Sequence, residues 1–329
     1  MITASAALRA SVAARLAVSL LLWTTTAMAD SSSVDFSAKL DDLWDFGHPE
    51  ISEQRFRAEL AHHPATSREA LETTTQIART QSLRRMFAPA DATLDALVPL
   101  LDGVPVRVRV RYLLERGRTR NSSGDKVAAV PLFNKAVALS ARDALPGADL
   151  YRVDALHMLG IASPTSERLD WNLKALAAAT ASPDQNTRRK WAPSLYNNIG
   201  WEYFERGDAT TALDYWKKAL PLREEIGNPT TIRIAKWTIA RGQRALGQLD
   251  DAERTQRALA AETEKAGEPD GYIYEELAEI AIARGDAAAA APWATKAWSL
   301  LKDDPDLRDG DPARLARLRT VGDPKVPAK

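Results

Sequence analysis

Residues 194–225 read SLYNNIGWEYFERGDATTALDYWKKALPLREE, and this stretch decides the fold. Its pattern is helical, yet Gly200 stands among Tyr196, Trp201 and Tyr203, where glycine costs about 1 kcal/mol relative to alanine. Another group must therefore approach the backbone closely there. Gly207-Asp208 punctuates the stretch. Glycine ends a helix in the left-handed conformation and aspartate caps the next one, so the pair reads as the tight turn of a helical hairpin.

The punctuation recurs. Gly-Asp stands at Gly124-Asp125 and Gly285-Asp286, and Gly247 is followed by Asp250. Behind each comes an alanine: Ala129, Ala212, Ala252 and Ala290. A larger or apolar residue follows four later and a small one seven later, as in Ala129/Phe133/Ala136, Ala212/Trp216/Ala219 and Ala290/Ala294/Ala297. Gln256 takes the four-later place in the hairpin of Ala252. Turns 40 and 38 residues apart (Gly207, Gly247, Gly285) require helices or connections longer than a 34-residue repeat provides.

These residues resemble the tetratricopeptide signature, W-x2-L-G-x2-Y…A-x3-F. Tyr196, Ile199, Gly200 and Tyr203 match the first helix; Ala212, Trp216 and Ala219 match the second. The lengthened spacing and "LYNNIGWEYFERGD" are similar to kinesin-light-chain and Rap-type relatives. The resemblance implies an all-α fold, a right-handed α-solenoid of stacked helical hairpins. It also implies that Gly200 faces Ala212, with Trp216 and Tyr203 filling the space between hairpins. Trp171, Trp216 and Trp298 are expected in the core. Five hairpins are expected over 110–301, more than the roughly three needed to bury a continuous core.

The flanks are read from local signals. Residues 1–29 carry Arg9 and Arg15, the apolar run Leu16–Trp23 and the A-x-A site Ala27-Met28-Ala29, the parts of a cleavable signal peptide. Cleavage after Ala29 is expected, giving an exported, periplasmic protein. With no cysteine in the sequence, neither a lipidated cysteine nor a disulfide can form. Region 30–109 is expected to be helical, a degenerate repeat plus a cap, with Ser52 capping a helix to His62 and Pro89 dividing the next two. The Val/Arg alternation of "GVPVRVRVRYLL" has a strand's period, but it runs into a repeat's first helix and is read as helix. Region 302–321 is expected to form a solvating helix with Asp311 as cap and Pro312 at its first position, and 322–329 a disordered tail.

Composition removes several function classes. The 44 basic residues match the 44 acidic ones, so no global charge calls for nucleic acid. The leader's apolar run is too short to span a bilayer. The chain carries no phosphate loop, dinucleotide fingerprint, G-x-S-x-G or H-E-x-x-H. His48, His62, His63 and His157 are its only histidines, and His62-His63 read as cations at a helix end. The pairs Asp41-Asp42, Glu224-Glu225 and Glu275-Glu276 do not face each other on a helix and read as solvated faces.

The expected function is a non-enzymatic scaffold without cofactor or metal. By the resemblance, the first helices line a concave groove that holds a protein or peptide. That groove would present Arg111, Arg118, His157, Asn197, Trp201, Trp237, Arg241, Arg244, Tyr272 and Glu275. Asn197 would bond a peptide backbone, and the four arginines suit acidic ligands, since guanidinium forks match carboxylates. Two alternatives stand beside this: an envelope-assembly accessory docking to peptidoglycan or outer-membrane machinery, and an enzyme with a site around His48, His62 and His63.

Overall fold

The structure, a computed structural model, describes residues 36–141 and 148–323. The leader and nearly all of the expected tail lie outside them. Among the described residues there are sixteen α-helices, one 3-10 turn and no strand. The chain divides into two compact units, with described parts 36–195 (apart from 142–147) and 196–323.

In the N-terminal unit, α1 (Phe36–Asp42), α2 (Pro49–Leu60), α3 (Arg68–Leu83) and α4 (Phe87–Asp95) precede two hairpins. These are α5 (Val106–Ser122) with α6 (Lys126–Ser140), and α7 (Ala148–Ala162) with α8 (Thr165–Ala181). Helix α9 (Gln185–Glu205) contains the boundary between the units. The C-terminal unit continues with α10 (Ala209–Ile226), then the hairpins α11 (Pro229–Ala245) with α12 (Leu249–Lys265) and α13 (Gly271–Ala283) with α14 (Ala287–Leu301). It closes with α15 (Pro305–Gly310) and α16 (Pro312–Gly322).

The turns form as their residues dictate. Gly124, Gly207 and Gly285 have φ of 94°, 85° and 77°, the left-handed region. Asp125, Asp208 and Asp286 then accept the N–H of Ala128, Thr211 and Ala289. The fourth turn differs: Gln248 is the N-cap and makes no side-chain cap bond, while Asp250 sits in the first turn of α12.

Gly200 does not meet Ala212. A Cβ on Gly200 would collide with the indole of Trp216, and one on Gly242 would lie 3.1 Å from its Cζ3. Trp216 thus occupies space that two first helices leave free, and its Nε1–H donates to Asn197 O at 3.2 Å. The geometry recurs where a Cβ on Gly117 would lie 2.5 Å from Phe133 Cε1, and one on Gly160 2.9 Å from Asn172 Oδ1. Gln256 is fully buried and its Nε2 approaches Trp237 O at 3.5 Å, across the same 19-residue separation as Trp216 and Asn197. A polar side chain therefore replaces an aromatic one because it keeps the aromatic's bond.

Other local expectations are corrected. Asn172, not Trp171, fills the cavity of the α7–α8 hairpin, and Trp171 is only partly buried, as is Trp298, because each is one residue off the buried stripe. Ser52 caps nothing: α2 starts at Pro49, and Ser52 instead bonds the backbone N–H and C=O of Asp45. The break between α3 and α4 falls at Arg84–Met86, with Arg85 at φ 60°, and Pro89 lies in the first turn of α4, where its missing N–H costs nothing. The Val/Arg segment is helical within α5, and Asp311 caps α16 by accepting Arg314 N–H.

Two outcomes test this interlock in denaturant melts. Trp216→Ala should lower stability by about 3–5 kcal/mol, as large-to-small core changes do. Gly200→Ala should also destabilise, by about 1–3 kcal/mol, although alanine is the better helix former.

Candidate functional site

The ten candidate residues fall into two sets. Arg111, Arg118 and His157 lie in the N-terminal unit; the other seven lie in the C-terminal unit.

In the N-terminal unit the arginines are already engaged. Arg111 Nε donates to Tyr151 Oη at 3.0 Å and stands 3.4 Å from Glu72, which also holds Arg107 at 2.8 Å. Arg118 bonds Glu115 at 2.6 Å and both oxygens of Asp154. Burial pushes the Asp154 carboxyl up, but Arg118 and Arg79 outweigh it and hold Asp154 below the usual carboxylate range. His157 packs against Trp191 with ring centroids 5.1 Å apart. Burial drives its pKa down to about 4, against the pull of Asp154, so at neutral pH it is an uncharged packing group.

In the C-terminal unit the first helices bring together Trp201 from α9, Trp237, Arg241 and Arg244 from α11, and Tyr272, Glu275 and Glu276 from α13. The Arg241 guanidinium faces three rings, 5.7 Å from Trp201, 5.7 Å from Phe204 and 5.4 Å from Trp237. Trp201 and Trp237 are buried rather than open, with 7% and 6% exposed, and Trp237 Nε1–H donates to Tyr272 O at 3.1 Å. Asn197 is buried as well; its carbonyl receives Trp216, so it belongs to the packing of its own hairpin. Tyr272 Oη donates to Asp304 at 3.0 Å.

Glu275 and Glu276 are not a solvated face. Glu276 is fully buried and receives Arg241 and, at 2.8 Å, Arg244 Nε. Glu275 is paired with Arg314 of α16. Burial raises the Glu276 pKa, yet Arg241 and Arg244 hold it below the ordinary range. Two donors remain over: Trp201 Nε1 and Arg241 Nε are buried without a hydrogen-bond partner. The Arg241 side chain keeps 21% of its surface exposed.

The sequence reads Glu276 as solvated and singles out none of Arg314, Phe204, Glu72, Arg79, Asp154 and Tyr151 for the site. A signal existed. The partners Arg118/Asp154, Arg241/Glu276 and Arg314/Glu275 are 36, 35 and 39 residues apart, close to one repeat length. Opposite charges at that separation on first helices mark ion pairs between neighbouring repeats. Around the N-terminal histidines, His63 bonds Glu59 at 2.7 Å and His48 stands 3.3 Å from Glu50 on the surface. Among the described residues no three His, Asp or Glu side chains converge on a metal-sized site, and no helix is long and apolar enough to cross a membrane.

The fold is that of tetratricopeptide-type helical repeat proteins, an all-α solenoid of stacked hairpins. No family model matches the chain, and no curated protein matches it in sequence. Among solved structures, the apo form of RapI is similar at a TM-score of 0.65 and 12% identity, over 88% of this chain and 83% of that one. A Rap protein complexed with competence and sporulation factor gives 0.54 at 13% identity, over 87% of this chain and 80% of that one. NprR in complex with its cognate peptide NprX gives 0.51 at 15%, over 88% and 85%.

Two charge predictions follow. Glu276→Gln removes the one carboxylate that two partly buried guanidinium groups share and should cost about 1–3 kcal/mol in a denaturant melt. His157 takes up a proton more readily when unfolded (ordinary pKa about 6.5) than when folded. Stability should therefore be intact above about pH 6.5 and fall as pH drops toward 4. Urea midpoints across this range should show the loss, and a His157→Phe chain should lack that part of the slope.

Proposed function

We propose that the protein is an exported, non-enzymatic scaffold that holds a protein or peptide segment on the first-helix face of its C-terminal unit. The observation that carries this is Arg241: a guanidinium that faces three aromatic rings, shares Glu276 with Arg244 and keeps 21% of its side chain exposed. Glu276 offers one negative charge to Arg241 and Arg244 together, so the place keeps a net positive charge, and the acceptor that suits it is a peptide carbonyl or a carboxylate. Peptide complexes of NprR, and the Rap complex with competence and sporulation factor, support a bound segment as the ligand class. The pattern of residues 1–29, charged start, apolar run and A-x-A site, supports export.

The test uses tagged full-length protein, crosslinked in living cells, with its partner then purified and titrated. Arg241→Lys keeps the charge and removes the planar fork; Arg241→Gln removes the charge. Each should weaken affinity by about 3–10-fold, the worth of one hydrogen bond. Unchanged affinity in both variants, with melts intact, removes the site. Mass analysis of the exported protein should find Asp30 as its first residue.

A further inference from the structure

The buried stripe of α10 ends in a charge. Ala212, Trp216 and Ala219 are followed one turn on by Arg223, which is only 2% exposed. Its Nη1–H donates to Thr231 O, in the first turn of α11, at 3.0 Å. Its Nε and Nη2 are buried and find no acceptor in the chain.

The position stands apart from the other deep arginines. Four are buried among the described residues: Arg107, Arg111, Arg116 and Arg223. Arg107 meets Glu72 at 2.8 Å, Arg111 meets the same carboxylate at 3.4 Å, and Arg116 meets Asp91 at 2.6 Å. Arg223 is the deepest of the four. Burial pushes its pKa down to about 10, and no acid pulls it back. Backbone dipoles do not supply the missing charge. Arg223 stands in the last turn of α10, whose C-terminal end favours a cation, but its head lies against the first turn of α11, whose N-terminal end opposes one. A buried charge without a counter-charge is among the costliest arrangements in a fold.

The two unbonded nitrogens form a matched pair. Nε–H and one N–H of Nη2 project side by side from one edge of the guanidinium, at the spacing of the two oxygens of a carboxylate. The chain uses that edge in this way elsewhere. Arg57 holds Glu53 through it at 2.9 and 2.6 Å, Arg244 holds Glu276 at 2.8 and 3.2 Å, and Arg314 holds Glu275. Depth limits what could pair with Arg223. The turn joining α10 to α11 is exposed at Gly227, Pro229 and Thr230, and Thr231 follows it directly, so the way in is short. A free anion of a few heavy atoms can pass beneath such a turn, whereas a side chain fixed to a partner's backbone would have to part the two helices.

We infer that the Nε/Nη2 edge of Arg223 is a receptor for a small free carboxylate, bound beneath the turn between α10 and α11. This site is separate from the Arg241 face, in residue and in ligand. An anion that binds only the folded chain raises its melting midpoint.

The probe is sodium formate, the smallest carboxylate, compared with sodium chloride at equal ionic strength and pH on the full-length chain. Formate at 100 mM should raise the midpoint by at least about 2 °C. Arg223→Met should melt no lower than the unmutated chain in chloride, since it removes an uncompensated charge, and should show no formate response. Arg223→Lys keeps the charge without the fork, and its formate affinity, read from midpoint against concentration, should fall at least ten-fold. Equal midpoints of the unmutated chain in formate and chloride overturn the inference. So does a formate response that survives in Arg223→Met and vanishes in Arg241→Gln, which would assign the anion to the other face. A clear loss of stability of Arg223→Met in chloride also overturns it, because the guanidinium would then serve folding by itself. Stabilisation by an amide-capped Gly-Glu-Gly peptide without any by formate overturns the small-ligand assignment. None of these outcomes bears on partner capture at Arg241, which is read by affinity of the purified partner.

Discussion

The packing of the C-terminal unit turns on one contact: the indole of Trp216 seated where Gly200 and Gly242 carry no side chain. A string of helical hairpins has no long-range sheet, metal or disulfide to tie it together. Each hairpin must bury its face against the next. Large side chains on second helices fill gaps left by small residues on first helices, and the indole N–H also satisfies a backbone carbonyl of the helix it leans on. Phe133 over Gly117 repeats the steric part of this contact, and Gln256 the polar part. The repeat conserves a packing relation between positions, while the residue types that fulfil it vary.

The second constraint is charge inside the stack. First helices carry Arg118, Arg241 and Arg244 where they face neighbouring repeats, and Asp154 and Glu276 answer from the following one. Buried pairs of this kind add little net stability, because desolvation opposes the Coulomb gain, but a lost partner is costly. They fix which helix lies against which. They also alter the functional argument. Arginines that look available in the sequence are engaged by internal carboxylates.

Much of the architecture was legible from residue order. The left-handed glycines at 124, 207 and 285, the aspartates capping the following helices, and the buried stripe Ala212/Trp216/Ala219 are all local consequences of backbone sterics and helix period. The candidate site was legible only as a set of names. Sequence pattern puts Trp201 and Trp237 on an open face, and they are buried; it reads Glu275 and Glu276 as solvated, and they are internal. Helical period assigns a residue to one side of its own helix. It does not say which sides a neighbouring repeat will cover, and both acids sit where an arginine from another helix reaches them.

Sequence alone determined the all-α class, the position of the turns and the need for a close approach at Gly200, because each follows from interactions spanning fewer than about eight residues. Tertiary structure decided which side chain fills the space at Gly200, which charges are neutralised and which donors remain unmatched. It also decided where residues 36–42 rest. Those outcomes depend on contacts between residues some 16 to 150 positions apart, whose geometry exists only after the hairpins have stacked.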